Sequence, residues 1–254
     1  MFPTIQLGPL NIQAPGLVII ISLWAGLSLA EKLARCNNYP ADKIYNLVLV
    51  SLIAGVIGAR LSFVLSNIGV FADSLSSIVS LNPGLLDPFG GTVTALLAAV
   101  IYGHKNQLEI WSTLDILTPF FAVVMIGIGI SHLSSGNAYG LETSLPWGFL
   151  LWGAVRHPSQ VYEIAASSLT LLVIWRDFSK NARAGILFLK FLIITSIWII
   201  LLEGFRGDSQ IIAAGIRSNQ VIALITLAVS VILFEKRISN KANNLDQERW
   251  NNNG

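Results

Sequence analysis

Eight consecutive residues, Arg156-His157-Pro158-Ser159-Gln160-Val161-Tyr162-Glu163, carry a density of side-chain chemistry unusual for this chain. Seven of them donate or accept through a side chain or, as Pro158 does, fix the backbone. They lie between two strongly apolar runs. An ionisable group at the edge of a hydrocarbon-bound helix is costly unless it pairs or meets a polar substrate. Two readings are open on this stretch alone. In one it is a solvated loop, with Ser159 capping a helix and Glu163 near its start. In the other it belongs to a site. Guanidinium matches phosphate bidentately, so Arg156 with Arg60 and Arg206 could wall an anion site. Imidazole titrates near neutrality, so His157 or His132 could act as a base, although for His157 the favoured reading is that it merely bonds the loop backbone ahead of Pro158.

The elements that must position these groups follow from composition. The chain has 254 residues, 54% hydrophobic and 12% charged, where a soluble domain is about a quarter charged. This is an all-α polytopic membrane protein. A net charge of +2, with dispersed basic residues, gives no reason to expect nucleic acid. Cys36 is the one cysteine, read as a spectator thiol in a short polar loop. With three scattered histidines and no H-E-x-x-H spacing, no metal site is expected. The N-terminus has no Lys or Arg before Lys32, unlike a cleavable signal peptide, so its first apolar run is expected to be retained as a span.

Measured against the roughly 20 residues that cross a bilayer, apolar runs give about seven candidate helices. They cover residues 16–30, 44–70, 90–102, 114–130, 161–175, 185–202 and 221–234. The short third run, with glycines at one end, suggests a partly broken or re-entrant entry. Lys32, Arg35 and Lys43, then Lys105, then Arg176, Lys180 and Arg183, and finally Lys236, Arg237, Lys241 and Arg249 fall on one side if the helices alternate. The positive-inside rule makes that side cytoplasmic, with the N-terminus outside and the C-terminus inside. Residues 1–238 read as one transmembrane domain and the Asn-rich residues 239–254 as a disordered cytoplasmic tail.

Arg60, Arg156, Arg206 and Arg217 escape that rule and fall in the outer half, with Glu163, Glu203 and His132 at the same depth. Internal pairs such as Arg156 with Glu163 and Glu203 with Arg206 would leave Arg60 and Arg217 over, which favours a site. Small residues recur from Ala54 through Gly55, Gly58 and Ala59, and again at Gly127 and Gly129, the spacing that lets helices approach closely. Trp147 and Trp152 flank the loop before Arg156, so residues 145–155 are expected to lie along the outer membrane surface.

The chain also resembles a known family, the bacterial phosphatidylglycerol–prolipoprotein diacylglyceryl transferases, over nearly its whole length. The opening Met1-Phe2-Pro3 with Leu7-Gly8-Pro9-Leu10 looks like the family's N-terminus. Gly58-Ala59-Arg60-Leu61 is similar to its second span, and Gly90-Gly91 to the pair in its His-Gly-Gly motif. Tyr139-Gly140, followed by Leu145-Pro146-Trp147-Gly148, resembles the end of its signature and the loop beyond. The stretch from Arg156 to Glu163 resembles its R-H-P-x-Q-[LV]-Y-E almost residue for residue. Glu203-Gly204-Phe205-Arg206, with Asn219-Gln220, resembles its closing elements. Several positions depart from the pattern. Phe89 stands where the family has histidine, Pro15 where it has an early tyrosine, Gly129 where arginine is expected, His132 where asparagine is expected, and Asn137 where glutamate is expected.

The resemblance implies seven spans in a bacterial inner or plasma membrane and a site open to the outer face. It also implies transfer of a diacylglyceryl group from phosphatidylglycerol, or a similar anionic phospholipid, to the lipobox cysteine of a lipoprotein precursor bound through its signal peptide. No cofactor is implied. On this reading His157, Glu163 and His132 are the catalytic candidates. Arg60, Gly90, Gly91, Tyr139, Arg156, Gln160, Tyr162, Glu203 and Arg206 are the substrate-binding ones. The alternative is a member that binds phospholipid or precursor without turnover. A transporter is the weaker third reading, since the sequence has no inverted repeat and no midplane acidic pair.

Overall fold

The computed structural model describes residues 4–7, 10–72, 85–178, 183–213 and 215–253. Met1, Phe2, Pro3, Gly8 and Pro9 of the opening motif, and Lys180 of one basic segment, lie outside them. The order is β1 (Thr4–Leu7), β2 (Leu10–Gln13), α1 (Ala14–Cys36), α2 (Ala41–Ser66), α3 (Ile68–Ala72), α4 (Pro88–Lys105) and α5 (Ile110–Ser135). Then come β3 (Phe149–Leu151), β4 (Ala154–Arg156), α6 (Ser159–Phe178), α7 (Ile186–Glu203), β5 (Ile211–Ala213), β6 (Ile216–Arg217) and α8 (Ser218–Asn253). Each expected span falls on one long helix, except that the second ends on α3. Four helices, α1, α2, α5 and α7, are long and apolar enough by themselves to cross a membrane. Large apolar side chains such as Trp24, Val56, Leu96, Leu172 and Ile225 face outward along the helices. A surface of that kind suits hydrocarbon and not water. The protein is an all-α polytopic membrane protein.

Local chemistry moves some expected boundaries. The second span does not run unbroken to residue 70. It stops at Asn67, whose side chain donates to Phe63 O and whose backbone N–H donates to Val64 O, and α3 follows as a separate turn. Nor is the third span broken at its start. Asp87 accepts from the N–H groups of Phe89 and Gly90, and Pro88 occupies the first helical position, where its missing N–H costs nothing. Cys36 is the exposed last residue of α1 and not part of a loop. The last helix, α8, continues past residue 238 to Asn253.

The chain divides into two compact units, residues 31–113 and residues 1–30 with 114–254. In the first, α2 and α4 pack through small residues. A Cβ on Gly58 would stand 1.8 Å from Thr94 Oγ1, and one on Gly91 2.9 Å from Ala59 Cβ and 3.0 Å from Gly55 O. Asp87 accepts from the Ser62 hydroxyl, and its own N–H donates to Ala59 O, so the cap of α4 is fastened to α2. The Ser62 bond, with those from Gly90 and Phe89, holds the Asp87 carboxyl below the usual carboxylate range.

In the second unit the core gathers Ala122, Ile174, Leu187 and Phe191, with Phe121 and Phe188 packed against it. Asp115 on α5 caps α7 from outside its own helix. Its carboxylate accepts from Gly185 N–H at 2.6 Å and Phe188 N–H at 2.8 Å, satisfying donors that the helix start leaves over. Gly127 faces Ser22 closely enough that a Cβ would lie 2.1 Å from its hydroxyl oxygen, which brings α5 against α1.

Candidate active site

The second unit holds a cavity of about 410 Å³ among α5, α6, α7 and α8. Its walls are mostly apolar, with Met125, Ile128, Leu192, Ile199 and Ile222 among them. One end is ionic, formed by His132, Glu163, Glu203 and Arg206 together with Asn219. All but Arg206, which follows α7, come from a helix end: His132 from the last turn of α5, Glu163 from the second turn of α6, Glu203 from the end of α7, Asn219 from the start of α8. Trp198, also on the wall, is the one buried side-chain donor without a protein acceptor among the described residues.

The ionic groups form a continuous network. His132 Nδ1 lies 2.9 Å from Glu163 Oε2, and Arg206 Nη1 donates to Glu163 Oε1 at 3.3 Å. Arg206 also grips Asp208 with a fork, Nε to Oδ1 at 3.0 Å and Nη2 to Oδ2 at 3.2 Å. Burial alone would lower the Arg206 pKa, but the Asp208 bond and the charges of Asp208, Glu163 and Glu203 outweigh it and raise the value. Glu203, only 3% exposed, is held in place by Ser209 and Asn219, which donate to its Oε1 at 2.5 and 3.0 Å. Arg217 is not left over, as the sequence suggested. Its Nη1 donates to the carbonyls of Glu203 and Arg206, closing the turn after α7.

Beside this network lies the loop that holds Arg156. The segment around Leu141 runs between two others: Leu141 N–H donates to Phe205 O, His157 N–H to Leu141 O, and Gly207 N–H to Tyr139 O. The approach is so close at Gly140 that a Cβ would stand 2.3 Å from His157 O, so only glycine fits. Arg156 donates to Leu151 O, Gly140 O and Glu142 Oε1, and its guanidinium lies 5.1 Å from the centre of the Tyr139 ring. Its acidic partner is therefore Glu142 and not Glu163. Ser159 and Gln160, both buried, donate to Ala138 O and Asn137 O. The His157 ring rests 5.2 Å from Phe205 and 3.5 Å, through Nδ1, from the Tyr162 hydroxyl, which accepts from Trp147 Nε1. Ahead of this loop, β3 and β4 make a hairpin turned by Trp152 and Gly153, both at positive φ. Phe149, Leu150 and Trp152 on it are exposed, while the Trp152 indole N–H is bound to Gly136 O.

The structure thus gathers His132, Glu163, Glu203 and Arg206 on one cavity, and Tyr139, Arg156, His157, Gln160 and Tyr162 in the adjoining loop. Arg60, Gly90 and Gly91 belong to the other unit. There Arg60 donates to Leu85 O and lies 5.4 Å from the Phe71 ring centre, while Gly90 and Gly91 face α2. Asp208, Ser209 and Glu142 escaped the sequence reading. A carboxylate two residues beyond Arg206 in so charge-poor a chain was the available signal for Asp208.

The family model for prolipoprotein diacylglyceryl transferase matches residues 3–235, across both units. The chain belongs to the prolipoprotein diacylglyceryl transferase family. Among similar proteins are those named phosphatidylglycerol–prolipoprotein diacylglyceryl transferase in three bacteria. The one from Photobacterium profundum is 31% identical over 83% of this chain and 84% of the relative. Those from Finegoldia magna and Clostridium tetani are 26% and 25% identical, over 88% and 90% of this chain and 90% and 94% of theirs. Within a transferase family of this breadth, the match runs through the whole of the ionic network, from His132 to Asn219.

Proposed function

We propose that the chain transfers a diacylglyceryl group from phosphatidylglycerol, or a similar anionic phospholipid, to the cysteine of a lipoprotein precursor. One observation carries the reading: an ionic cluster lines one part of a mostly apolar cavity, within a chain that matches the family over residues 3–235. A phospholipid has the same two-part chemistry. Its acyl chains suit walls such as Ile128, Leu192 and Ile222, and its phosphate suits a guanidinium fork. Asp208 shows how Arg206 uses that fork, and a phosphate would compete with Asp208 for the same two donors. Arg60, Gly90 and Gly91, on the other unit, stay as substrate-binding candidates on the family resemblance alone. Tyr139, Arg156, Gln160 and Tyr162 shape the loop against which the precursor's signal peptide would lie.

The placement of Lys and Arg supports an N-terminus outside, a cytoplasmic C-terminus with residues 239–254 as its tail, and a site open to the outer face. The named relatives support a bacterial inner or plasma membrane. Treating residues 1–238 as one transferase domain rests on the single family match across both units.

The test is direct. Purified full-length protein, mixed with phosphatidylglycerol vesicles and a lipobox-cysteine peptide, should yield the diacylglyceryl thioether, seen as a mass increase on the peptide. Cells depleted of their own transferase should regain precursor lipidation. The competing reading, binding without turnover, rests on Phe89, 77% exposed, standing where the resemblance expects histidine. Lipid retention without product, abolished by Arg156→Ala with Arg206→Ala, would establish that reading and end the enzymatic one.

A further inference from the structure

We infer that His132 is the base that removes the proton from the acceptor thiol, with Glu163 as its positioning residue; this rests on the transferase reading above. An ionised carboxylate only accepts hydrogen bonds. Because His132 Nδ1 faces Glu163 Oε2 at 2.9 Å, Nδ1 carries the ring's hydrogen, and the lone pair of the neutral ring is at Nε2. Glu163 cannot turn away, since its other oxygen is held by Arg206, which is itself forked onto Asp208. A guanidinium fixes a carboxylate and the carboxylate fixes an imidazole, which is the logic of an oriented base beside a nucleophile. The ring lies on the cavity that would receive the lipid. His157, by contrast, is absent from that lining and packs between Phe205 and Tyr162.

Gly129 makes the pair reachable. It sits three residues before His132 on α5, and a Cβ there would stand 2.8 Å from Ile164 Cγ1 and 3.3 Å from Ile164 N. Only a residue without a side chain lets α5 approach the turn of α6 that carries Glu163. Of the charged groups, Glu163 from α6 touches His132, Glu203 from α7 and Arg206 share its cavity, and Asp208 and Arg217 reach it only through Arg206.

The proposed step balances without any oxidant or reductant. The thiol S–H bond breaks and its proton passes to His132 Nε2. The sulfur electron pair forms a bond to the terminal glyceryl carbon, and that carbon's bond to the phosphate oxygen breaks, the pair leaving with oxygen. Glycerol phosphate departs as a monoester and takes up the proton from the imidazolium, which restores the neutral ring.

The experiment compares wild type, His132→Gln and Glu163→Gln, full-length in phosphatidylglycerol vesicles with a lipobox-cysteine peptide, from pH 6 to 9.5. At pH 7 His132→Gln should lose about 100-fold in turnover, the low end for a general base, with KM for lipid little changed. The deficit should shrink toward pH 9.5, because a thiol with pKa about 8.5 then ionises without help. Glu163→Gln keeps the ring and should lose less, with the same narrowing. A deficit in both variants that stays constant with pH would mean a structural role and overturn the inference. So would His132→Gln retaining more than about a tenth of wild-type turnover. Should His132→Gln fail to fold, the pH dependence of Glu163→Gln decides. If wild type itself yields no product, the transferase reading falls and this inference with it.

Discussion

Gly129 on α5 and Ile164 on α6 approach so closely that the smallest side chain would have to displace something, its Cβ standing 2.8 Å from Ile164 Cγ1. Gly129→Ala should therefore push the two helices apart at the level of His132 and Glu163. Overpacking of this kind costs about 1–3 kcal/mol. Thermal melting in detergent would register that loss. Turnover is expected to fall about tenfold or more, because the His132–Glu163 distance grows. A variant with wild-type turnover would show that the close approach does not matter for the site.

Glu163 is shared between His132 and Arg206, and its removal strands the imidazole Nδ1 and one Arg206 donor. Glu163→Ala is expected to destabilise the second unit by about 1–3 kcal/mol, the cost of leaving a partly buried donor unpaired. Asp208→Ala should be similar in direction, since it frees two Arg206 donors and the Ala138 N–H together. A double-mutant cycle over Glu163 and Asp208 should give a coupling different from zero, as residues sharing one guanidinium do not act independently.

Arg156 makes three bonds that only a planar fork can make at once, to Leu151 O, Gly140 O and Glu142 Oε1. Arg156→Lys keeps the charge and loses the geometry. Amide exchange across residues 139–156 should accelerate in Arg156→Lys nearly as much as in Arg156→Ala. Protection equal to wild type in the lysine variant would mean that the charge alone holds the loop.

Asp87 gives the first unit a pH dependence with a defined sign. Its carboxyl is held below the usual range by Ser62, Gly90 and Phe89, so its contribution is fully present above the ordinary aspartate pKa of about 3.9. It is lost as pH falls through the lower folded value. Asp87→Asn should melt below wild type at pH 7, and the gap should close as the buffer is taken below about pH 4. An unchanged gap at pH 3 would assign the effect to something other than this charge.

The resemblance pointed to the stretch from Arg156 to Glu163, but the structure divides its labour. Glu163 joins the cavity while Arg156, Ser159 and Gln160 fasten the loop beside it. That division was not legible, because a motif gives order along the chain and not the partner each side chain faces. The expected pairing of Arg156 with Glu163 failed for the same reason. Seven residues apart on a strand-to-helix turn, the two point to different neighbours, and Glu142 and Arg206 are nearer.

The long helices were legible because each must satisfy its own backbone in hydrocarbon, and an apolar run of about 20 residues records that requirement directly. The break at Asn67 and the cap at Asp87 depend on single polar side chains and blurred the expected ends. By itself, then, the sequence determined the class, the spans and the family, all of which are properties of local composition and order. Only the tertiary structure decided that His132, Glu163, Arg206 and Asp208 form one network, because hydrogen bonds of 2.9 to 3.3 Å join positions as far as 43 residues apart. Contacts of that reach are set by how closely helices pack, and here a missing side chain at Gly129 sets it.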